Sequence, residues 1–126
     1  MTHLLFDTNV FLWYFEGSNR INSIKELVAS EEVQVFISAV SWWEIIIKTR
    51  IGKLDIDYNA IRCFAKNHNF LELPVTGNFA DAYLELPYLH RDPFDHMLLA
   101  QAITSPMRLI TSDAILAEYS SLVMVI

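Results

Sequence analysis

The chain of 126 residues contains one cysteine, Cys63, and only three glycines. A single cysteine excludes an intramolecular disulfide and any Cys-rich zinc site, and a reducing cytoplasm is the simplest compartment for such a chain. No repeat, low-complexity block or Gly/Ser/Pro-rich linker divides the sequence, and few positions are left for a hinge. Its apolar runs, such as Ile45-Ile46-Ile47 and Leu98-Leu99-Ala100, fall far short of the ~20 residues of a membrane-spanning helix. The N-terminal stretch Met1 to Asp7 has no basic segment and meets an acid after three apolar residues, so no signal peptide is expected there. Excess positive charge is also missing. Nine Lys+Arg against fifteen Asp+Glu leave a formal net charge of −6, which by itself argues against nucleic acid as a partner.

What the chain does have is apolar substance: 53% of residues are hydrophobic and 13% aromatic. At this length roughly two-thirds of the unfolded chain's surface can be buried, so one packed domain over residues 1–126 is expected and disorder is excluded. Short apolar runs read as buried strands at 3–6, 33–37, 70–73, 108–110 and 122–126. Between them, residues recur with helical period: Ile21, Ile24, Leu27 and Val28; Ile61, Phe64 and Ala65; Phe79, Ala82, Tyr83 and Leu86; and Phe94, Met97, Leu98 and Ala102. Strands that alternate with helices predict an α/β fold, a mostly parallel sheet of about five strands covered on both faces.

In such a sheet, function gathers beyond the carboxyl ends of the strands. An acid stands at or just past each of these junctions: Asp7 in Phe6-Asp7-Thr8-Asn9, Glu44 after Ser41-Trp42-Trp43, Asp92 and Asp95 in Asp92-Pro93-Phe94-Asp95, and Asp113 in Thr111-Ser112-Asp113. Each has a local explanation. Asp7, Asp92 and Asp113 fit helix N-caps, with Pro93 at a first helical position. Ser41-x-x-Glu44 fits a capping box, and Asp95 favours a positive helix end. Taken one at a time, capping is the better account.

Together they describe something else. Several carboxylates facing one crevice repel one another unless a cation neutralises them. Hard oxygen donors without Cys or a His pair select Mg²⁺ or Mn²⁺ rather than zinc. Such an ion activates water and offsets charge on a phosphoryl oxygen, the requirement of phosphodiester hydrolysis. Thr8, Asn9, Thr111 and Ser112 are small hydrogen-bonding neighbours suited to orient carboxylates or metal-bound waters; they fit turns equally well.

The four blocks resemble the PIN-domain ribonucleases, most closely the VapC-type toxins of bacterial toxin–antitoxin pairs. Leu4-Leu5-Phe6-Asp7-Thr8-Asn9-Val10 resembles the first-strand motif, and residues 38–45, Ser-Ala-Val-Ser-Trp-Trp-Glu-Ile, resemble the second. The most specific match is His90-Arg91-Asp92-Pro93-Phe94-Asp95-His96-Met97-Leu98-Leu99-Ala100-Gln101-Ala102, in which His96 stands where this branch often carries Arg. Leu109-Ile110-Thr111-Ser112-Asp113 resembles the last block. The resemblance implies a PIN-like three-layer α/β/α sandwich. It also implies a Mg²⁺-dependent endoribonuclease with Asp7, Glu44, Asp95 and Asp113 as its acids and Asp92 as an additional candidate ligand. A homodimer held inactive by a cognate antitoxin is expected on the same ground.

Lys48, Arg50, Lys53 and Arg91 flank these acids as candidate contacts to RNA phosphates, although scattered basic residues more often serve solvation. Trp13, Tyr14, Trp42 and Trp43 are candidates for dimer or antitoxin contacts as well as for the core. His3, His68, His90 and His96 show no metal-ligand spacing, and no catalytic role is assigned to them. An aspartate-nucleophile phosphatase needs a second Asp where Asn9 stands. A phospho-receiver usually carries Lys after a late strand, where this chain has Thr111-Ser112-Asp113. The remaining alternative is a catalytically inactive PIN-like or receiver-like interaction module. With four acids assigned to one metal site, the rest of the chain is nearly balanced, eleven acids against nine bases, so any RNA contact is expected to be local.

Overall fold

The computed structural model describes residues 1–88 and 92–126. Its central strand is β1 (Thr2–Phe6), in which Leu4, Leu5 and Phe6 are all fully buried. A run without polar alternation is what a strand covered on both faces requires. β2 (Val33–Ser38) and β4 (Arg108–Thr111) flank it, and β3 (Leu71–Leu73) and β5 (Val123–Val125) form the edges, in the order β3-β2-β1-β4-β5. All four pairings are parallel, with Leu5 opposite Phe36 and Phe6 opposite Ile110. Phe70, Leu122 and Ile126, expected in strands, lie just outside them.

Helices fill the crossovers. α1 (Thr8–Glu16), α2 (Lys25–Ala29), α3 (Ala39–Arg50) and α4 (Tyr58–Asn67) precede β3. α5 (Gly77–Leu84) and α6 (Pro93–Thr104) precede β4, and a 3-10 turn (Ala114–Glu118) precedes β5. Leu4 and Phe6 pack with Val10, Phe11, Ile45 and Ile61 on one side, and Leu5 packs with Phe79, Leu98, Leu99 and Leu116 on the other. The period of two in β1 thus divides the core into two layers around the sheet. α3 contributes to both, with Trp42 and Ile45 in one layer and Val40 in the other.

α1 ends at Gly17, whose φ of 69° suits a residue without Cβ. The stripe from Ile21 to Val28 is not one helix but a 3-10 turn (Asn19–Ile24) followed by α2, with Ile24 at φ −114°, ψ 0° breaking the run. Ile21 and Ile24 are buried all the same. The spacing therefore marked the apolar face correctly, whereas the hydrogen-bonding pattern along it depends on the local backbone.

Candidate active site

Parallel register brings the ends of β1, β2 and β4 to one rim, and β1, with β2 on one side and β4 on the other, is where the chain reverses its direction across the sheet. That is the position at which an open α/β sheet forms its crevice. Asp7 stands there, 4% exposed. Its Oδ1 accepts from the Val10 amide at 2.8 Å and caps α1, while its Oδ2 accepts from the Thr111 hydroxyl at the end of β4. The Thr111 oxygen in turn accepts from the Asp113 amide at 3.1 Å. Burial pushes the Asp7 carboxyl up to about 6; the bonds from Thr111, Val10 and the Ser112 backbone oppose the shift, and the nearby Glu44 adds to it.

Glu44 is also 4% exposed. Its Oε2 accepts from Lys48 Nζ at 2.6 Å, one turn along α3, whereas Oε1 is buried without a hydrogen-bond partner among the described residues. Asp92 caps α6, its Oδ1 accepting from the Phe94 amide at 2.9 Å and the Asp95 amide at 3.4 Å. The hydrogen bond to Glu44 holds the Lys48 ammonium above the usual lysine range against partial burial, and Asp92 and Asp95, within electrostatic reach, add to the shift. Asp113 caps the 3-10 turn, with Oδ1 accepting from the Ile115 amide at 3.0 Å.

The local cap readings at Asp7, Asp92 and Asp113 are therefore observed. The capping box is not: Ser38, not Ser41, caps α3, accepting from the Val40 amide at 3.1 Å. Ser41 lies in the first turn and its Oγ accepts from Thr8 Oγ1 at 3.0 Å. Thr8 thus ties α1 to α3 rather than holding a carboxylate, and Asn9 is exposed. The acids form a chain of neighbours rather than a closed cage. Asp7 lies within electrostatic reach of Glu44, and Glu44, Asp92 and Asp95 all act on Lys48. Among the described residues, no three His, Cys, Asp or Glu side chains converge as they stand into a set that can hold one metal ion.

Of the basic candidates, Lys48 is at the site, Arg50 and Lys53 are exposed at the end of α3 and beyond, and Arg91 lies outside the described residues. His96 is 2% exposed, shares a hydrogen bond of 3.2 Å with the Tyr119 hydroxyl and packs against the Tyr83 and Tyr88 rings. Trp42 is buried and Trp13 and Tyr14 are half-buried, whereas Trp43 is 60% exposed with its ring 5.5 Å from Phe94. An apolar cavity of about 360 Å³ lies beside this pair, bordered by Val40, Val75, Tyr83 and Met97. Two features escaped the residue-by-residue reading: the Lys48–Glu44 pair, although its i,i+4 spacing signals it, and the buried link from Ser38 to Gln101.

A parallel three-layer sheet with acids along its carboxyl rim is the class that fold and site define. Residues 4–122 match the PIN domain, and the chain belongs to that family. No curated protein matches it by sequence. Among solved structures it is similar to VapBC2 from Rickettsia felis bound to a promoter DNA fragment, with TM-score 0.74, 13% identity and coverage of 99% of this chain and 98% of that one. A toxin–antitoxin complex from Klebsiella pneumoniae is similar at TM-score 0.68 and 20% identity, covering 96% and 95%. DNA-bound VapBC from Salmonella typhimurium is similar at TM-score 0.70 and 14% identity, covering 100% and 98%. At these identities the likenesses show the fold. No described helix is long and apolar enough to cross a membrane.

Proposed function

We propose that the chain is a divalent-metal-dependent endoribonuclease and the toxin of a toxin–antitoxin pair, a cytoplasmic homodimer restrained by a cognate antitoxin. The observation that carries this reading is the buried Asp7–Glu44 pair on the rim of a PIN sheet, with Glu44 Oε1 buried and, among the described residues, unpartnered. An orphaned carboxylate oxygen beside a second buried acid fits a hard cation, and the all-oxygen donors favour Mg²⁺, with Mn²⁺ as a substitute. Asp7, Glu44, Asp95 and Asp113 are the residues that would hold it, with Asp92 as a further candidate. When bound, such an ion supplies an activated water and offsets charge on the phosphoryl oxygen.

The chain's own part is orientation. Thr111 and the Val10 amide fix both oxygens of Asp7, and the Ser112 backbone adds to that hold. Lys48, Arg50, Lys53 and Arg91 are proposed to meet RNA phosphates next to the acids. The antitoxin assignment draws on the solved neighbours, three of which are toxin–antitoxin or VapBC complexes. The exposed Trp43 beside Phe94 offers an apolar face for a protein contact.

The test is cleavage of an RNA by the purified protein in Mg²⁺ against EDTA, together with growth arrest on expression. Asp7→Asn and Asp95→Asn are expected to lower cleavage by more than about 100-fold. Wild-type rates in both variants, after contaminating nucleases are excluded, would sink the assignment. The lack of a closed acid cage among the described residues favours one second reading, a non-catalytic interaction module. No cleavage in either Mg²⁺ or Mn²⁺, with antitoxin binding intact, would select it.

A further inference from the structure

Lys48 Nζ lies 2.6 Å from Glu44 Oε2, and the two partners are unequally placed: the Glu44 side chain is 5% exposed and that of Lys48 39%. The carboxylate is built into the crevice, whereas the ammonium reaches in from the rim on a flexible stem with a path back to solvent. Lys48 also feels Asp92 and Asp95 at the head of α6, so one ammonium faces acids from two elements. Its charge offsets only part of theirs. Among the described residues Glu44 Oε1 is still buried without a partner, and Asp7 still feels the charge of Glu44. The ion pair Arg62–Glu72 differs in kind: it is 3.6 Å long and about half exposed on both sides.

A tethered ammonium can donate to more than one carboxylate, but it supplies a single positive charge and so cannot neutralise several of them at once. A divalent ion supplies two charges and accepts lone pairs from several oxygens. Lys48 holds only Oε2, but an ion that draws on both Glu44 oxygens, or sits among the acids that Lys48 faces, competes with the ammonium for the same oxygen and is repelled by its charge. We infer that Lys48 is a built-in counter-ion that holds the Glu44 side of the site in the metal-free protein, is displaced when a divalent ion binds, and is then released to the rim where RNA phosphates pass. The inference rests on the metal-dependent reading above and adds a competitor to it. Its consequence has a definite sign: removing Lys48 tightens metal binding, whereas a lysine that merely positions Glu44 as a ligand would, on removal, weaken it.

The experiment uses the full chain, freed of metal with EDTA and dialysed, then titrated with MnCl₂ by calorimetry, with the paramagnetic resonance signal of free Mn²⁺ as an independent readout. Lys48→Met is expected to bind Mn²⁺ about fivefold more tightly than wild type, and Lys48→Arg, which keeps the charge, more weakly than Lys48→Met. In the wild type, acetylation of Lys48 by acetic anhydride, followed by mass spectrometry, is expected to rise on saturation with Mn²⁺ relative to the exposed Lys25. Equal or weaker Mn²⁺ binding in Lys48→Met, or Lys48 labelling indifferent to Mn²⁺, overturns the counter-ion role. Absence of Mn²⁺ binding in both wild type and Lys48→Met overturns instead the metal site beneath it.

Discussion

Asp7 carries the sharpest physical conflict in the molecule. It caps α1 and is locked to Thr111, yet burial raises its carboxyl from 3.8 to about 6. The metal-free folded state therefore binds more protons than the unfolded state between those values. Stability present at low pH is lost as pH rises from about 4 to about 6, by about 3 kcal/mol for a shift of this size. Asp7→Asn keeps the cap acceptor without the charge. In EDTA it is expected to be more stable than wild type at pH 7.5 and to lose that advantage at pH 4, measured by urea denaturation at both pH values. A wild type that equals or exceeds Asp7→Asn at pH 7.5 would show that the charge is compensated without metal. Saturating Mg²⁺ should stabilise wild type and leave Asp7→Asn nearly unchanged.

Between elements, the connection that matters most is the buried clamp where α3 and α6 meet. Ser38 Oγ donates to Gln101 Oε1 at 2.6 Å, and Gln101 Nε2 donates to the Pro74 carbonyl at 3.2 Å. Ser38 also caps α3, which carries Glu44, and Gln101 lies on α6, which carries Asp95. One hydroxyl thus sets both the start of one acid-bearing helix and its distance from the other. Gln101→Leu strands the Ser38 hydroxyl and is expected to cost about 2 kcal/mol. In a cycle with Ser38→Ala the coupling should be about 1 kcal/mol, read from urea midpoints; strict additivity would mean that the two side chains do not act as a unit. The same elements show why a capping pattern misleads. Ser41-x-x-Glu44 has the right spacing, but β2 continues to Ser38 and α3 starts directly after it, so Ser41 falls inside the helix and meets Thr8.

Over the whole molecule, α3 and its C-cap leave large apolar side chains in solvent, with Trp43 and Ile51 each 60% exposed and Ile46 37%. Trp43→Ser is expected to leave the unfolding free energy within about 0.5 kcal/mol of wild type, as for a surface position, and to shift the proposed dimer toward monomer in a sedimentation concentration series. An unchanged association constant would move the partner contact to another face. The net charge of −6 also has its place at this scale: the acids at the carboxyl rim concentrate negative charge where a cation is proposed, and the proposed RNA contact would fall to a few local bases.

The sequence alone determined what rests on neighbours within a few residues. The apolar runs of β1, β2 and β4 specify buried parallel strands, and the caps at Asp7, Asp92 and Asp113 are legible because an N-cap bonds an amide two or three residues ahead. The Glu44–Lys48 pair is local too, although in the sequence Lys48 stood out only as a candidate RNA contact. Tertiary structure decided the rest. Thr111 meets Asp7 across 104 residues, Gln101 meets Ser38 across 63, and Thr8 meets Ser41 across 33. Adjacent Trp42 and Trp43 are one buried and one exposed because helical period turns them to different faces, and only the packing of α3 on the sheet settles which face is covered. Residue type and spacing made the acids candidates, but the desolvation that raises Asp7 and orphans Glu44 Oε1 exists only once distant strands and helices have closed around them.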